Sequence, residues 1–184
     1  MKRDAFLWSV YAGGISAIIY GLVQQISIMA GLQANTVWGA AGGIFLPLEQ
    51  IATPLGTVIG WVAHILVGAV WGVGFYVFLL FFGMERSIYK GICVGLFAWL
   101  FGTLMMRWGV TTYTNFVATE QVWTLIDTVV FGASLGYLVP RMAMKGAAKP
   151  YSISSRLQEK RLAQPVYKPA PAVEEQSKNG RDDQ

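Results

Sequence analysis

Residues 56–77 read GTVIGWVAHILVGAVWGVGFYV. Every fourth position is either glycine or the chain's one histidine: Gly56, Gly60, His64, Gly68 and Gly72. The positions between them are large, among them Trp61, Leu66, Trp71, Phe75 and Tyr76. A four-residue step returns to the same face of an α-helix, so the small residues cut one groove along a bulky apolar rod. Lipid is the natural surrounding of such a rod. There the hydrophobic effect gives helices no reason to associate, and close backbone approach along small residues supplies the contact instead. The rest of the chain is expected to arrange itself about this groove.

Composition points the same way. Of 184 residues, 54% are hydrophobic and 13% charged, and the mean hydropathy is +0.47. That balance belongs to the membrane class. A helix needs about 20 mainly apolar residues to cross the hydrocarbon core. Four stretches meet this, at about 6–31, 55–82, 91–108 and 121–139. The expected fold class is an all-α integral membrane protein. It is an antiparallel four-helix transmembrane bundle over residues 1–140, followed by a basic, largely disordered cytoplasmic tail over 141–184. Cys93, the one cysteine, falls inside the third span and has no intrachain partner.

The net charge of +4 is unevenly spread. All but one of the 14 Lys and Arg residues lie at the N-terminus, in the 83–90 turn or after Val139; the exception is Arg107. Basic residues flanking spans stay on the cytoplasmic side. Both termini and the 83–90 turn are therefore expected inside a bacterial cytoplasmic membrane, with the 32–54 and 109–120 loops outside. No basic stripe interleaved with aromatics suggests nucleic acid. Arg141, Lys145 and Lys149 open the basic tail, where each such charge contributes about 1 kcal/mol near an anionic leaflet. Residues 152–163 read as a short interfacial helix, and the proline-bearing stretch after Gln164 as disordered.

Smaller features follow in chain order. The apolar run after Met1–Asp4 is longer than a signal-peptide core and lacks a clean small-x-small cleavage site, so it reads as an uncleaved span. Gly13, Ala17 and Gly21 form a small-residue row on it, and Gln24 and Gln25 sit near its outer end. The 32–54 loop is low in charge, and Ile44, Phe45, Leu48 and Ile51 suggest a short amphipathic piece on the outer surface. Pro54 fits the first turn of the second span. The brief 83–90 connection makes the second and third spans an expected antiparallel hairpin. Gly91, Gly95, Ala98 and Gly102 line the third span, and Thr124, Thr128, Gly132 and Gly136 the fourth. The match of Gly68–Gly72 to Gly132–Gly136 suggests a worn duplication of a two-helix unit.

Four ionisable residues lie within or beside the spans: His64, Arg107, Glu120 and Asp127. Such groups are costly in lipid and face a partner or cavity. His64 and Asp127 fall at similar depth, about 10–15 Å below the outer surface at 1.5 Å per residue. One reading is a proton- or cation-handling cluster of His64 and Asp127, with Arg107 and Glu120 above it. The other is structural: Arg107 neutralises an acid, and Asp127 bonds His64 or a hydroxyl such as Thr128. The structural reading is preferred, because no second histidine or deep carboxylate pair accompanies these groups. A single histidine cannot supply the two axial ligands of a membrane haem. No zinc-spaced Cys/His set, HExxH motif or phosphate loop is present. No cofactor, metal site or enzymatic activity is expected.

The run Leu55–Ile59, the aromatic end of its span, the basic turn, Gly91 and Gly95 with Ala98-Trp99-Leu100, and Gly132 to Tyr137 resemble the YqhR-like four-span membrane proteins of spore-forming Gram-positive bacteria. About half the chain carries the resemblance. It implies four spans in the cytoplasmic membrane and no catalytic residue, and it does not extend to the long basic tail. The expected function is a non-enzymatic structural or partner-binding role. The expected partners are anionic lipid headgroups and a second copy or another membrane protein. The competing reading is a small oligomeric transporter or channel for protons or cations.

Overall fold

The glycine row at 56–72 is where three other elements meet in the computed structural model, which describes residues 4–112 and 117–143. Six helices occur in chain order among the described residues: α1 (Ala5–Met29), α2 (Val37–Gly42), α3 (Leu48–Ile51), α4 (Pro54–Phe82), α5 (Ser87–Arg107) and α6 (Ala118–Met142). No strand occurs among the described residues. The helices α1, α4, α5 and α6 are each long and apolar enough to cross a membrane. Even α5, with 21 residues, spans about 30 Å at 1.5 Å per residue, the thickness of the hydrocarbon core. The expectations for Lys145, Lys149, the 152–163 helix and the distal tail lie outside the described residues.

The ends of the long helices follow local chemistry. Thr53 caps α4, its hydroxyl accepting from the Gly56 amide at 3.1 Å, with Pro54 in the first turn. Gly83, at φ 76°, closes α4 in a conformation that costs a glycine little. Lys90 then reaches back, and its ammonium donates to the Phe82 carbonyl at 2.7 Å and the Gly83 carbonyl at 3.0 Å. A cation at a helix C-terminus answers both the unpaired carbonyls and the helix dipole. The basic 83–90 turn therefore carries a structural contact as well as a charge. Pro140 lies inside α6, which runs on to Met142. A proline lacks the amide that would bond Gly136, and at the last turn that loss is small.

Three elements use successive parts of the α4 groove. At Gly56, an added Cβ would collide with the α3 backbone, 2.9 Å from the Ile51 carbonyl oxygen. At Gly60 it would meet the backbone of Trp38 in α2, 3.0 Å from its carbonyl carbon. At Gly72 it would lie 2.7 Å from the Gly13 Cα of α1. Gly68 faces Ala17, and Gly21 faces the Trp61 ring. The pairs 13 with 72, 17 with 68 and 21 with 61 count in opposite senses, so α1 and α4 run antiparallel.

A second crossing repeats this design. A Cβ on Gly91 of α5 would lie 2.7 Å from the Gly136 amide nitrogen of α6, and one on Gly132 would lie 2.8 Å from the Ile92 Cα. Gly95 faces Gly132, at 3.0 Å from its Cα. The two glycine steps that match in sequence, 68–72 and 132–136, thus occupy equivalent places in two helix pairs. α1 joins the pairs by also packing on α6. Phe75, Leu79, Leu135 and Val139 are fully buried at that junction, with Tyr20 and Phe131 beside them.

The hairpin expectation is met in chain direction but not in packing. α4 and α5, though joined by a four-residue turn, hardly touch. Trp71 bridges them, its ring centroid 6.1 Å from Phe97 and 6.4 Å from Phe101. The cause is the placement of small residues. Gly56, Gly60, Gly68 and Gly72 of α4 face α1, α2 and α3, and Gly91 and Gly95 of α5 face α6. Aromatic rings are left between α4 and α5, and they hold the two backbones apart.

Candidate functional site

The 30–53 connection does not simply cross the surface. Its polar residues Gln33, Asn35 and Thr36 come just before the uncharged run Val37–Phe45. Thr36 caps α2, accepting from the Gly39 amide at 3.0 Å, and the Val37 amide donates to the Gln24 side-chain oxygen of α1. Two of the four orphan amides of α2 are thereby satisfied, which allows a short helix to sit among apolar helices. Gly39, Ala41 and Gly42 are buried, and Trp38 stacks on Trp61 with ring centroids 4.8 Å apart. Ile44, Phe45 and Leu48 remain exposed, as an outer-surface piece would be, while Ile51 is buried against α4.

Asp127 holds this segment to α6. It lies nine residues into the helix, about 13 Å along its axis at 1.5 Å per residue, and is 2% exposed. Gln33 donates its side-chain amide to Oδ2 at 2.7 Å, and the Ser27 hydroxyl donates to Oδ1 at 3.3 Å. Thr124 donates to the Gln33 oxygen at 3.4 Å. Near the start of α6, Glu120 accepts from the Asn35 side-chain amide and from the Ala34 amide at 3.4 Å. Thr111 and Thr112 complete the clamp. Thr111 donates to the Ala40 carbonyl at 2.9 Å, and Thr112 to the Leu46 carbonyl at 3.0 Å.

The four ionisable residues thus have different surroundings. Asp127 and Glu120 both hold the 30–36 segment, two turns apart on α6. His64 is buried in the groove, its Nε2 2.9 Å from the Ala17 carbonyl oxygen of α1. A carbonyl only accepts, so Nε2 carries the proton. The Tyr20 and Trp61 rings flank His64, with centroids 5.5 and 6.1 Å away. Arg107 ends α5 and is exposed. The Thr128 hydroxyl donates to the Thr124 carbonyl of its own helix at 2.6 Å. Arg141 lies in the last turn of α6, 3.6 Å above the Tyr137 ring and 3.2 Å from the Tyr137 carbonyl.

Where α4 and α5 diverge, a cavity of about 370 Å³ opens between α4, α5 and α6, roofed by α2. Its wall is mostly apolar. His64, Glu120 and Thr124 reach it, as do Trp71, Trp99 and Phe101. The Trp99 Nε1–H has no hydrogen-bond partner, alone among the buried side-chain polar atoms of the described residues. Leaving such a donor unmet costs about 1–3 kcal/mol. No three His, Cys, Asp or Glu side chains come together among the described residues.

Sequence reading singled out the carboxylates but missed Gln33, Ser27 and Asn35, which bond them, and Trp99. The available signal was the order of residues 33–45, polar and then uncharged and glycine-rich. That order suits half a span as well as a surface loop. Comparison of the chain with models of known protein families, with curated proteins and with solved structures finds no match.

Proposed function

We propose that this chain is a non-enzymatic integral membrane protein, an antiparallel four-span bundle of the bacterial cytoplasmic membrane with both termini inside. The YqhR-like resemblance belongs to this reading. In it, Arg141, Lys145 and Lys149 meet anionic headgroups, and the exposed face of α5 meets lipid, a second copy or a membrane partner. The observation that carries the reading is the environment of Asp127. A carboxylate that moved protons would need a wet path, whereas Asp127 is closed in by Gln33 and Ser27. Its chemistry goes into fixing α2 between the long helices.

The transport reading draws support from one observation: His64 and Glu120 both reach the cavity wall. Flux through liposomes carrying the purified chain separates the two. The expected result is proton and potassium leakage no faster than in empty liposomes. Flux that His64→Leu and Glu120→Gln both abolish would favour transport instead.

A further inference from the structure

The cavity between α4, α5 and α6 differs from an ordinary gap between helices in its charge. Glu120 is the one carboxylate on its wall among the described residues, and no Lys or Arg of those residues lines it. The bonds Glu120 accepts come from neutral groups, the Asn35 side-chain amide and the Ala34 amide. They satisfy its oxygens and leave its negative charge unbalanced. A charge left so beside apolar helices is costly, and a cation is what offsets it.

The neutral polar groups of the wall act in the same sense. Thr111, Thr124 and Thr128 line the cavity and spend their hydroxyl protons on protein carbonyls, so each keeps only lone pairs to offer. His64 gives its Nε2 proton to the Ala17 carbonyl, and in the neutral ring Nδ1 is an acceptor too. Aromatic rings form much of the remaining wall: Tyr20 from α1, Trp71 from α4, Phe101 from α5 and Phe131 from α6. Trp71 and Phe101 stand at 77° to each other, as two sides of a box and not as a stack. The negative face of such a ring attracts an ammonium, more strongly where water is excluded.

Size and access narrow the guest. A volume near 370 Å³ falls at the lower end of the roughly 300–1,000 Å³ of small-molecule sites, enough for an ammonium carried on one or two rings. Val67 on α4 and Phe101 on α5 line the cavity and are also 44% and 45% exposed. The wall therefore continues into the surface that lipid covers in the membrane reading, and on that reading this inference rests. Glu120 stands in the first turn of α6, at the outer end of the bundle in the same reading. We propose that the cavity binds a compact aromatic ammonium, drawn in by the Glu120 carboxylate and the ring faces of the wall.

Equilibrium dialysis of the full chain in phosphatidylcholine nanodiscs tests it, with empty nanodiscs as background. The probes are benzyltrimethylammonium, its neutral isostere neopentylbenzene, which has carbon in place of the nitrogen, and the anion benzylsulfonate. The expected result is saturable excess binding of the cation alone. Glu120→Gln keeps an oxygen for Asn35 and Ala34 and loses the charge, and should weaken binding about tenfold. Glu49→Gln removes an exposed charge of α3 that is outside the cavity, and should change nothing. Gly102→Leu fills the cavity from a wall position where an added Cβ touches nothing within 4 Å, so it should fold and abolish binding. Gly74→Leu, equally unobstructed but away from the cavity, should leave binding intact. No saturable binding of the cation, equal binding of the isostere or the anion, or indifference to Glu120→Gln would overturn the proposal. The comparison of cation with isostere needs no variant, so it decides even where a variant misfolds. Alkaline extraction of membranes carrying the chain separates the failures. A chain that binds no cation yet stays with the membrane counts against the site alone, and a chain released into water counts against the membrane reading.

Discussion

Asp127 shows what a buried charge does in this protein. Its two oxygens take one hydrogen bond each from segments distant in sequence, Ser27 and Gln33. Asp127→Leu would leave the Gln33 amide without an acceptor in apolar surroundings, and should cost about 1–3 kcal/mol. Asp127→Asn keeps one acceptor oxygen and should cost less. Unfolding of the purified variants in mixed detergent micelles measures both, and equal stability of the Asp127→Leu and wild-type chains would remove the clamp. Lys90 makes a smaller and separable contribution. Lys90→Met leaves the Phe82 and Gly83 carbonyls without their cation, and should cost about 0.3–1 kcal/mol in the same assay.

At the scale of elements, glycine placement decides which helices pair. Gly13 lies against Gly68 and Gly72, and Gly91 against Gly132 and Gly136, with backbone where side chains would otherwise be. Gly68→Leu and Gly91→Leu should therefore sharply reduce the yield of folded monomer in detergent, read by size-exclusion chromatography. His64→Leu should fold, because it gives up a single hydrogen bond, to the Ala17 carbonyl. If all three variants behaved alike, the glycine crossings would not be what holds the helices. These crossings were legible in the sequence, since a four-residue step of small residues has one helical meaning. The partner of each groove was not. Nothing in Gly60 says that the Trp38 backbone, and not another long helix, will fill its place. Chain proximity misled in the same way at α4 and α5, where a short turn joins helices that aromatic rings keep apart.

For the whole molecule, length and apolarity alone foretold four membrane-length helices, with starts and ends a few residues from those observed. α5 begins at Ser87 and not near Gly91, a turn ahead of the apolar run, so Lys90, which caps α4, lies inside the helix. α2 among the long helices was not foreseen, because six residues carry too little periodicity to separate a buried short helix from a surface loop. Nor was the cavity, which depends on how far two helices diverge.

The central claim is that lipid surrounds the four long helices, with the 30–53 connection and the 83–86 turn on opposite faces of the bilayer. Cysteine labelling tests it directly. In a Cys93→Ala background, Phe45→Cys and Glu85→Cys are treated with a membrane-impermeant maleimide, first on intact cells and then after permeabilisation. The expected result is that the cysteine at 45 reacts in intact cells and the one at 85 only after permeabilisation. Labelling of both from the same side, or recovery of the folded chain from the aqueous fraction, would contradict it.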